Sequence, residues 1–141
     1  MKFELLDHIL EESPDRIVAL KQVSLAEEYL GDHFPTFPVL PGVMMIETMV
    51  QAARRMLAGR GDSRLVLGEV KALKFGSMVR PGEALEVEVT LSKELGDGSY
   101  LCKGTGRVRR PGPEGQEQGA DSAKAETTVN GRFTMRPIRR S

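Results

Sequence analysis

Cysteine is nearly absent from this chain, and Cys102 is its one example. An internal disulfide framework and a thiolate metal cluster are both excluded. A lone thiol fits a reducing compartment. Aromatic residues are scarce at 5%, so aliphatic side chains and methionines must fill any core. There is no excess of charge, because 20 Lys and Arg balance 20 Asp and Glu. A dedicated nucleic-acid binder normally carries a basic surplus. No long apolar run exists either. The longest uncharged stretch, Phe34 to Ile46, contains three prolines and is too short to span a bilayer. The acidic N-terminus has no signal-peptide core.

What is present is enough for one domain. The 141 residues are 40% apolar and 28% charged, which argues against wholesale disorder. A single domain over residues 1–141, soluble and cytoplasmic, is the expectation. Its charge is unevenly placed. Residues 1–53 hold three basic and nine acidic groups, and residues 54–141 hold seventeen and eleven. Either the halves intermix in space or the second half offers a basic patch.

Periodicity divides the chain. Ile17 to Leu25 reads as a strand, and Ala26 to Leu30 as a turn. His33 to Gly42 carries Pro35, Pro38 and Pro41, so it must be an extended, rigid loop. Val43 to Leu57 then lacks Gly and Pro and is apolar around most of its circumference, which predicts a buried helix. Leu65 to Phe75 reads as a strand. Ala84 to Lys93 alternates apolar and polar residues, as a half-solvated antiparallel strand does. Turns are expected at Arg80–Glu83 and Gly96–Gly98, and strands at Ser99–Arg109 and Thr127–Pro137. Asn130-Gly131 fits a tight hairpin or a bulge. Residues 110–126 hold too little apolar surface for a core and read as a flexible loop. One helix can be buried all round only if a sheet curls about it and a second copy covers the rest. The class is therefore α+β, and a dimer is expected.

Four residues could carry chemistry. Glu47 is the only charged residue between His33 and Arg54, and it lies on the buried helix. A carboxyl there either takes a partner or keeps its proton, as a general acid must. It could equally pair with a basic group at an interface. His33 opens the rigid loop fourteen positions earlier, as a positioned base or as a solvated loop histidine. Gly42 stands at the helix start, where N–H groups lack intrahelical partners and can bind an oxyanion. Gln51 is one turn beyond Glu47 and could orient its carboxyl. No spacing signals a metal site.

Residues 33–51 together strongly resemble the signature of the 3-hydroxyacyl-(acyl-carrier-protein) dehydratases of the FabZ/FabA type, including the spacing from histidine to acid. Arg16–Val23 and Lys74–Leu85 resemble further segments of that family, so the resemblance covers most of residues 3–108. It implies a hotdog fold, a long central helix wrapped by a curved antiparallel β-sheet. It also implies a dimer, alone or paired or tripled, with active sites between chains. His33 would take the C2 proton of a 3-hydroxyacyl thioester, and Glu47 of the other chain would protonate the leaving hydroxyl. The Gly42 N–H would polarise the thioester carbonyl, and the Val39 carbonyl would hold the His33 ring. No cofactor is implied beyond the phosphopantetheine arm of acyl carrier protein, which delivers the substrate. Lys74, Arg80 and Arg54 would meet that acidic carrier. The chain departs from the family at Thr36 (a glycine elsewhere), at the inserted Asp32, and at Gly76-Ser77 where a basic pair is usual. It lacks the family's leading helix, and the loop at 110–126 is expanded. Dehydration is the reading. A silent acyl-binding or partner subunit, or an enoyl-CoA hydratase or thioesterase, is the alternative. The isomerising subgroup has Asp at the position of Glu47, which argues against isomerisation.

Overall fold

In the computed structural model, residues 5–23, 40–60, 64–110 and 126–138 are described. They form β1 (His8–Ser13), β2 (Arg16–Gln22), α1 (Gly42–Met56), β3 (Leu65–Phe75), β4 (Ala84–Glu94), β5 (Tyr100–Arg109) and β6 (Thr127–Pro137). The six strands make one sheet in the order β1-β2-β4-β5-β6-β3, and every neighbouring pair is antiparallel. The helix touches β2, β3, β4, β5 and β6, so the sheet curves around it.

The alternation of β4 becomes two faces. Leu85, Val87 and Val89 are fully buried against the helix side. Glu86 and Glu88 face outward and meet Arg107 and Arg109 across β5 and Arg16 across β2. Opposite charges on directly facing strands favour this register. The β4–β5 hairpin turns through Gly96 and Gly98, both at positive φ, and Leu95 N–H donates to the Ser99 carbonyl at 2.9 Å.

The helix starts and stops where its flanking residues demand. Pro41 precedes it in an extended conformation, and Leu57 closes it by donating to the Ala53 carbonyl. Arg54 and Arg55 lie in the last turn, where cations suit the helix dipole. Met45, Met49, Ala52, Ala53 and Met56 are buried on the sheet side. Val43 is 68% exposed, and Met44, Ile46, Glu47 and Gln51 are half-buried. One chain therefore covers one side of α1, not its whole circumference. The opposing strand allows a close fit: a β-carbon on Gly104 would stand 2.5 Å from Met49 Sδ.

Three details differ from the sequence reading. His8–Ser13 is an edge strand, which its polar composition conceals. The described part of the first expected strand ends at Gln22, and residues 24–25 lie outside the described residues. Asn130-Gly131 is not a hairpin turn, and a register shift of β3 against β6 lies across from Gly131. The dipeptide lies inside β6, with Gly131 opposite Gly104. β3 shifts register against β6 at Leu67/Val70 and Lys71/Lys74, and Ala72 within the second shift has φ 53°; further shifts fall at Ile9/Glu11, Leu91/Lys93 and Gly106/Arg107. Residues 111–125 are outside the described residues. Val108 N–H donates to the Glu126 carbonyl at 3.0 Å, joining β5 to the residue before β6.

Candidate active site

The site is built on the first three turns of α1. Leu40 N–H donates to the buried Val79 carbonyl at 2.8 Å, which fixes the chain just before the helix. The Pro41 carbonyl accepts from the N–H groups of Met44 and Met45 at 3.0 and 3.2 Å. Gly42 is thus the first helical residue, among the N–H groups that have no partner one turn earlier. The Phe75 ring covers it from β3, leaving no room for a β-carbon.

Glu47 lies on the half-buried face of the helix, away from Met49 and the sheet. Its Oε1 accepts a hydrogen bond from Gln51 Nε2 at 3.3 Å. The Gln51 Oε1 in turn accepts from the backbone N–H of Leu5 at 2.8 Å. Helical spacing brings the two side chains together, since residues four apart share a face. The Leu5 contact comes from the far end of the chain, and Leu5 itself is buried. The Thr48 hydroxyl donates within the helix to the Met44 carbonyl at 2.7 Å, and on the sheet side the Met45 sulfur lies 3.5 Å from the Thr128 hydroxyl. The arrangement presents a carboxyl held by a neutral donor, near a helix N-terminus. That is suited to giving or taking a proton beside an oxyanion. Among the described residues, no three His, Cys, Asp or Glu side chains converge as a metal site.

Residues 10–109 match the ApeI-like family, described as ApeI dehydratase. The chain belongs to the ApeI-like dehydratase family. Curated relatives agree. The chain is similar to the 3-hydroxyacyl-(acyl-carrier-protein) dehydratase FabZ of Pseudothermotoga lettingae, 42% identical over 90 residues, covering 63% of this chain and 64% of that one. It is similar to FabZ of Thermotoga petrophila, 34% identical over 108 residues, covering 75% and 77%. It spans 59% of the length of FabZ from Solibacter usitatus, at 38% identity over 95 residues and 64% of this chain. Among solved structures, the dehydratase heterocomplex ApeI:P from Xenorhabdus doucetiae superposes with a TM-score of 0.66 at 18% identity, covering 96% of this chain and 98% of that one. A Streptococcus mutans protein bound to acetyl CoA gives 0.67 at 12% identity, covering 98% and 92%. These likenesses establish the hotdog fold.

Placed in this ApeI-like chain, the expected site residues separate. Gly42, Glu47 and Gln51 share one helix. His33 and Val39 lie outside the described residues, as do Asp32 and Thr36. Arg54 is engaged locally, its Nε donating to the Leu65 carbonyl at 3.1 Å. Arg80 is exposed at a turn, where its backbone N–H donates to Glu83 Oε1 at 2.8 Å. Lys74 is exposed on β3, opposite Asn130.

Gly76 is packed against the start of β6. A β-carbon at Gly76 would stand 2.4 Å from the Thr127 carbonyl oxygen. The Ser77 hydroxyl donates to Glu126, and that bond together with Arg110 holds the Glu126 carboxyl below the usual carboxylate range. Three cations share the outer face of the sheet. Lys71 faces Arg132, and Arg132 faces Lys103, in one register row across β3, β6 and β5. All three are exposed. The sequence pattern did not expose this row, because its members are far apart in the chain. The charge asymmetry is partly cancelled elsewhere, as Arg55 of the helix pairs with Glu12 of β1 at 2.5 Å. That pair lines an open groove of about 620 Å³ with Pro14, Met56, Gly59 and Arg60, at the helix end far from Gly42.

Proposed function

We propose that the protein removes water from 3-hydroxyacyl thioesters carried on the phosphopantetheine arm of acyl carrier protein. The product is the trans-2-enoyl thioester, made in the cytoplasm for fatty-acid or related biosynthesis. The observation that carries this reading is the carboxyl of Glu47, held through Gln51 and five residues after Gly42, in an ApeI-like dehydratase chain.

By the resemblance, His33 accepts the C2 proton as its C–H pair moves to form the C2=C3 bond. The C3–O bond breaks, and Glu47 gives its proton to the departing hydroxyl, which leaves as water. The Gly42 N–H bonds the thioester oxygen while enolate-like charge gathers there. Each part answers a chemical need. Hydroxide leaves poorly without an acid, and the C2 proton is weakly acidic without carbonyl polarisation. The Val39 carbonyl keeps the His33 ring in its accepting tautomer. No metal or redox group enters the step.

A homodimer completes this reading. The half-buried face bearing Glu47 and the exposed Val43 is the side of α1 that one chain leaves open, as a site shared with the partner's histidine requires. Dimers of dimers and trimers of dimers preserve that sharing. The acidic carrier docks on cations, with Lys74, Arg80 and the row of Lys71, Arg132 and Lys103 as candidates.

Mass spectrometry of a 3-hydroxyacyl carrier protein, and of the same acyl group on coenzyme A, tests the reading in both directions. Loss or gain of one water that disappears in Glu47→Gln supports it. No turnover of either thioester over several chain lengths would overturn it in favour of a silent acyl-binding subunit.

A further inference from the structure

We propose that the N-terminal segment is part of the acid's machinery. The backbone N–H of Leu5 fixes the amide of Gln51 so that it donates to Oε1 of Glu47, leaving Oε2 to carry the transferable proton. This inference rests on the reading of Glu47 as the acid.

A glutamine side chain has one accepting end and one donating end. The Leu5 N–H is a donor, so the group it meets at 2.8 Å must be the Gln51 carbonyl oxygen. The end left for Glu47 is the NH2 group, 3.3 Å from Oε1. A flipped amide would set donor against donor at Leu5. The orientation is therefore fixed by a backbone group, which no side-chain substitution at position 5 can remove except proline.

The consequence falls on the two oxygens of Glu47. In a carboxylic acid the carbonyl oxygen is the better acceptor. A donor at Oε1 makes that oxygen carbonyl-like and places the hydroxyl on Oε2. The acid then offers its proton from one defined oxygen. Gln51 and Leu5 are positioning residues, since they act through Glu47.

The anchor is itself held. The Leu5 side chain is 2% exposed. Two residues later, Asp7 N–H donates to the Leu20 carbonyl at 2.9 Å, and Asp7 Oδ2 accepts from the Gln22 N–H at 2.7 Å. The segment is clipped to β2 and passes over α1 at Gln51.

The test replaces Leu5 by its α-hydroxy acid in the full chain. The resulting ester removes the N–H and keeps the side chain. The expected result is a fall in kcat of roughly ten-fold with KM little changed. Leu5→Val, which retains the N–H, should lose clearly less kcat than the ester. Gln51→Leu should lose as much as the ester, and so should Gln51→Glu, which still accepts from Leu5 but no longer donates to Glu47. The ester placed in Gln51→Leu should cost nothing further, because the two act in series. A purely structural role predicts additive losses instead. An ester variant with wild-type kcat, or additive losses, overturns the proposal while the dehydratase reading stands. If the wild type turns over no thioester, that reading fails instead. The Gln51 side-chain amide resonances, assigned by their loss in Gln51→Leu, then report the anchor directly. A shift of those resonances in the ester supports it, and unchanged resonances overturn it.

Discussion

Phe75 sits on Gly42, with ring atoms Cε1 and Cζ 2.8 Å from where a β-carbon would stand. Gly42→Ala must push the ring aside. Phe75 is 53% exposed, so the ring can swing into solvent and the fold should survive. Thermal melting should therefore change little, while kcat/KM falls by about ten-fold through a displaced oxyanion donor. In a Phe75→Ala background the alanine no longer meets a ring. Recovery of activity there would assign the loss to the clash, and a persistent loss to the glycine itself.

Loss of either partner in proton transfer should be severe. Glu47→Gln and His33→Ala should each lower turnover by about 10²–10⁴-fold in steady-state assays. Because the proposed site is shared between chains, mixing the two inactive variants should restore part of the activity once subunits exchange. Confirmed exchange without recovery would count against sharing.

Ala72 holds φ 53° in a bulge of β3. This left-handed conformation costs an L-residue about 1–2 kcal/mol, and glycine adopts it freely. After glycine's greater unfolded-state entropy is deducted, Ala72→Gly should stabilise the fold by about 0.5–1 kcal/mol. Urea denaturation would register this as a raised midpoint.

The ion pair of Arg16 and Glu88 should give an acid limb to stability. The hydrogen bond from Arg16 holds the Glu88 carboxyl below its ordinary value of 4.5, with Arg107 assisting. The folded state thus favours the ionised form. Its contribution is complete above that ordinary value and fades as pH falls through the lower folded value. Arg16→Leu should destabilise near neutral pH, and the gap to wild type should close in strong acid. Urea titrations at several pH values would show the two curves converging.

Lys103 and Arg132 face each other with Lys71 beyond, and like charges in register weaken a sheet. Lys103→Glu should therefore raise stability by about 0.2–1 kcal/mol. If this face meets an acidic carrier, the same change should raise KM for the carrier-bound thioester and leave the coenzyme A thioester unaffected. An unchanged KM for both would remove the row from the docking surface.

Cys102 should resist thiol reagents in the native state. It is fully buried, and burial alone pushes its thiol up to about 12. Labelling should begin only as the fold opens, which mass spectrometry along a urea series would follow.

Much of this was legible in the residues. Pro41 and Gly59 bracket the helix, and the strict alternation from Leu85 to Leu91 predicts β4. The Gly96–Gly98 turn needs no tertiary context. Edge strand β1 was not legible, because five of its six residues face solvent and supply no apolar period. Its Ser-Pro-Asp turn was the one available signal. β3 was read with its bounds, Leu65 to Phe75, but not its bulges, which are set by register against β6. At the site, Gly42, Glu47 and Gln51 could be grouped because helical spacing is fixed. The contact of Gln51 with Leu5 could not, since it joins residues 46 apart. Arg54 carried the charge expected of a carrier contact, and the bond from its Nε to the Leu65 carbonyl was not legible in the sequence.

The close seat of Met49 against Gly104 has a genetic consequence. Met49 and Glu47 point to different sides of one rigid rod, so whatever lifts the first rotates the second. A survey of random substitutions scored by activity would therefore flag Gly104, a strand residue on the opposite side of the helix, alongside the proton-transfer residues. Such hits would mark the socket that aims the acid and would yield to a compensating smaller residue at Met49. Lesions in the chemistry itself would find no such second-site suppressor.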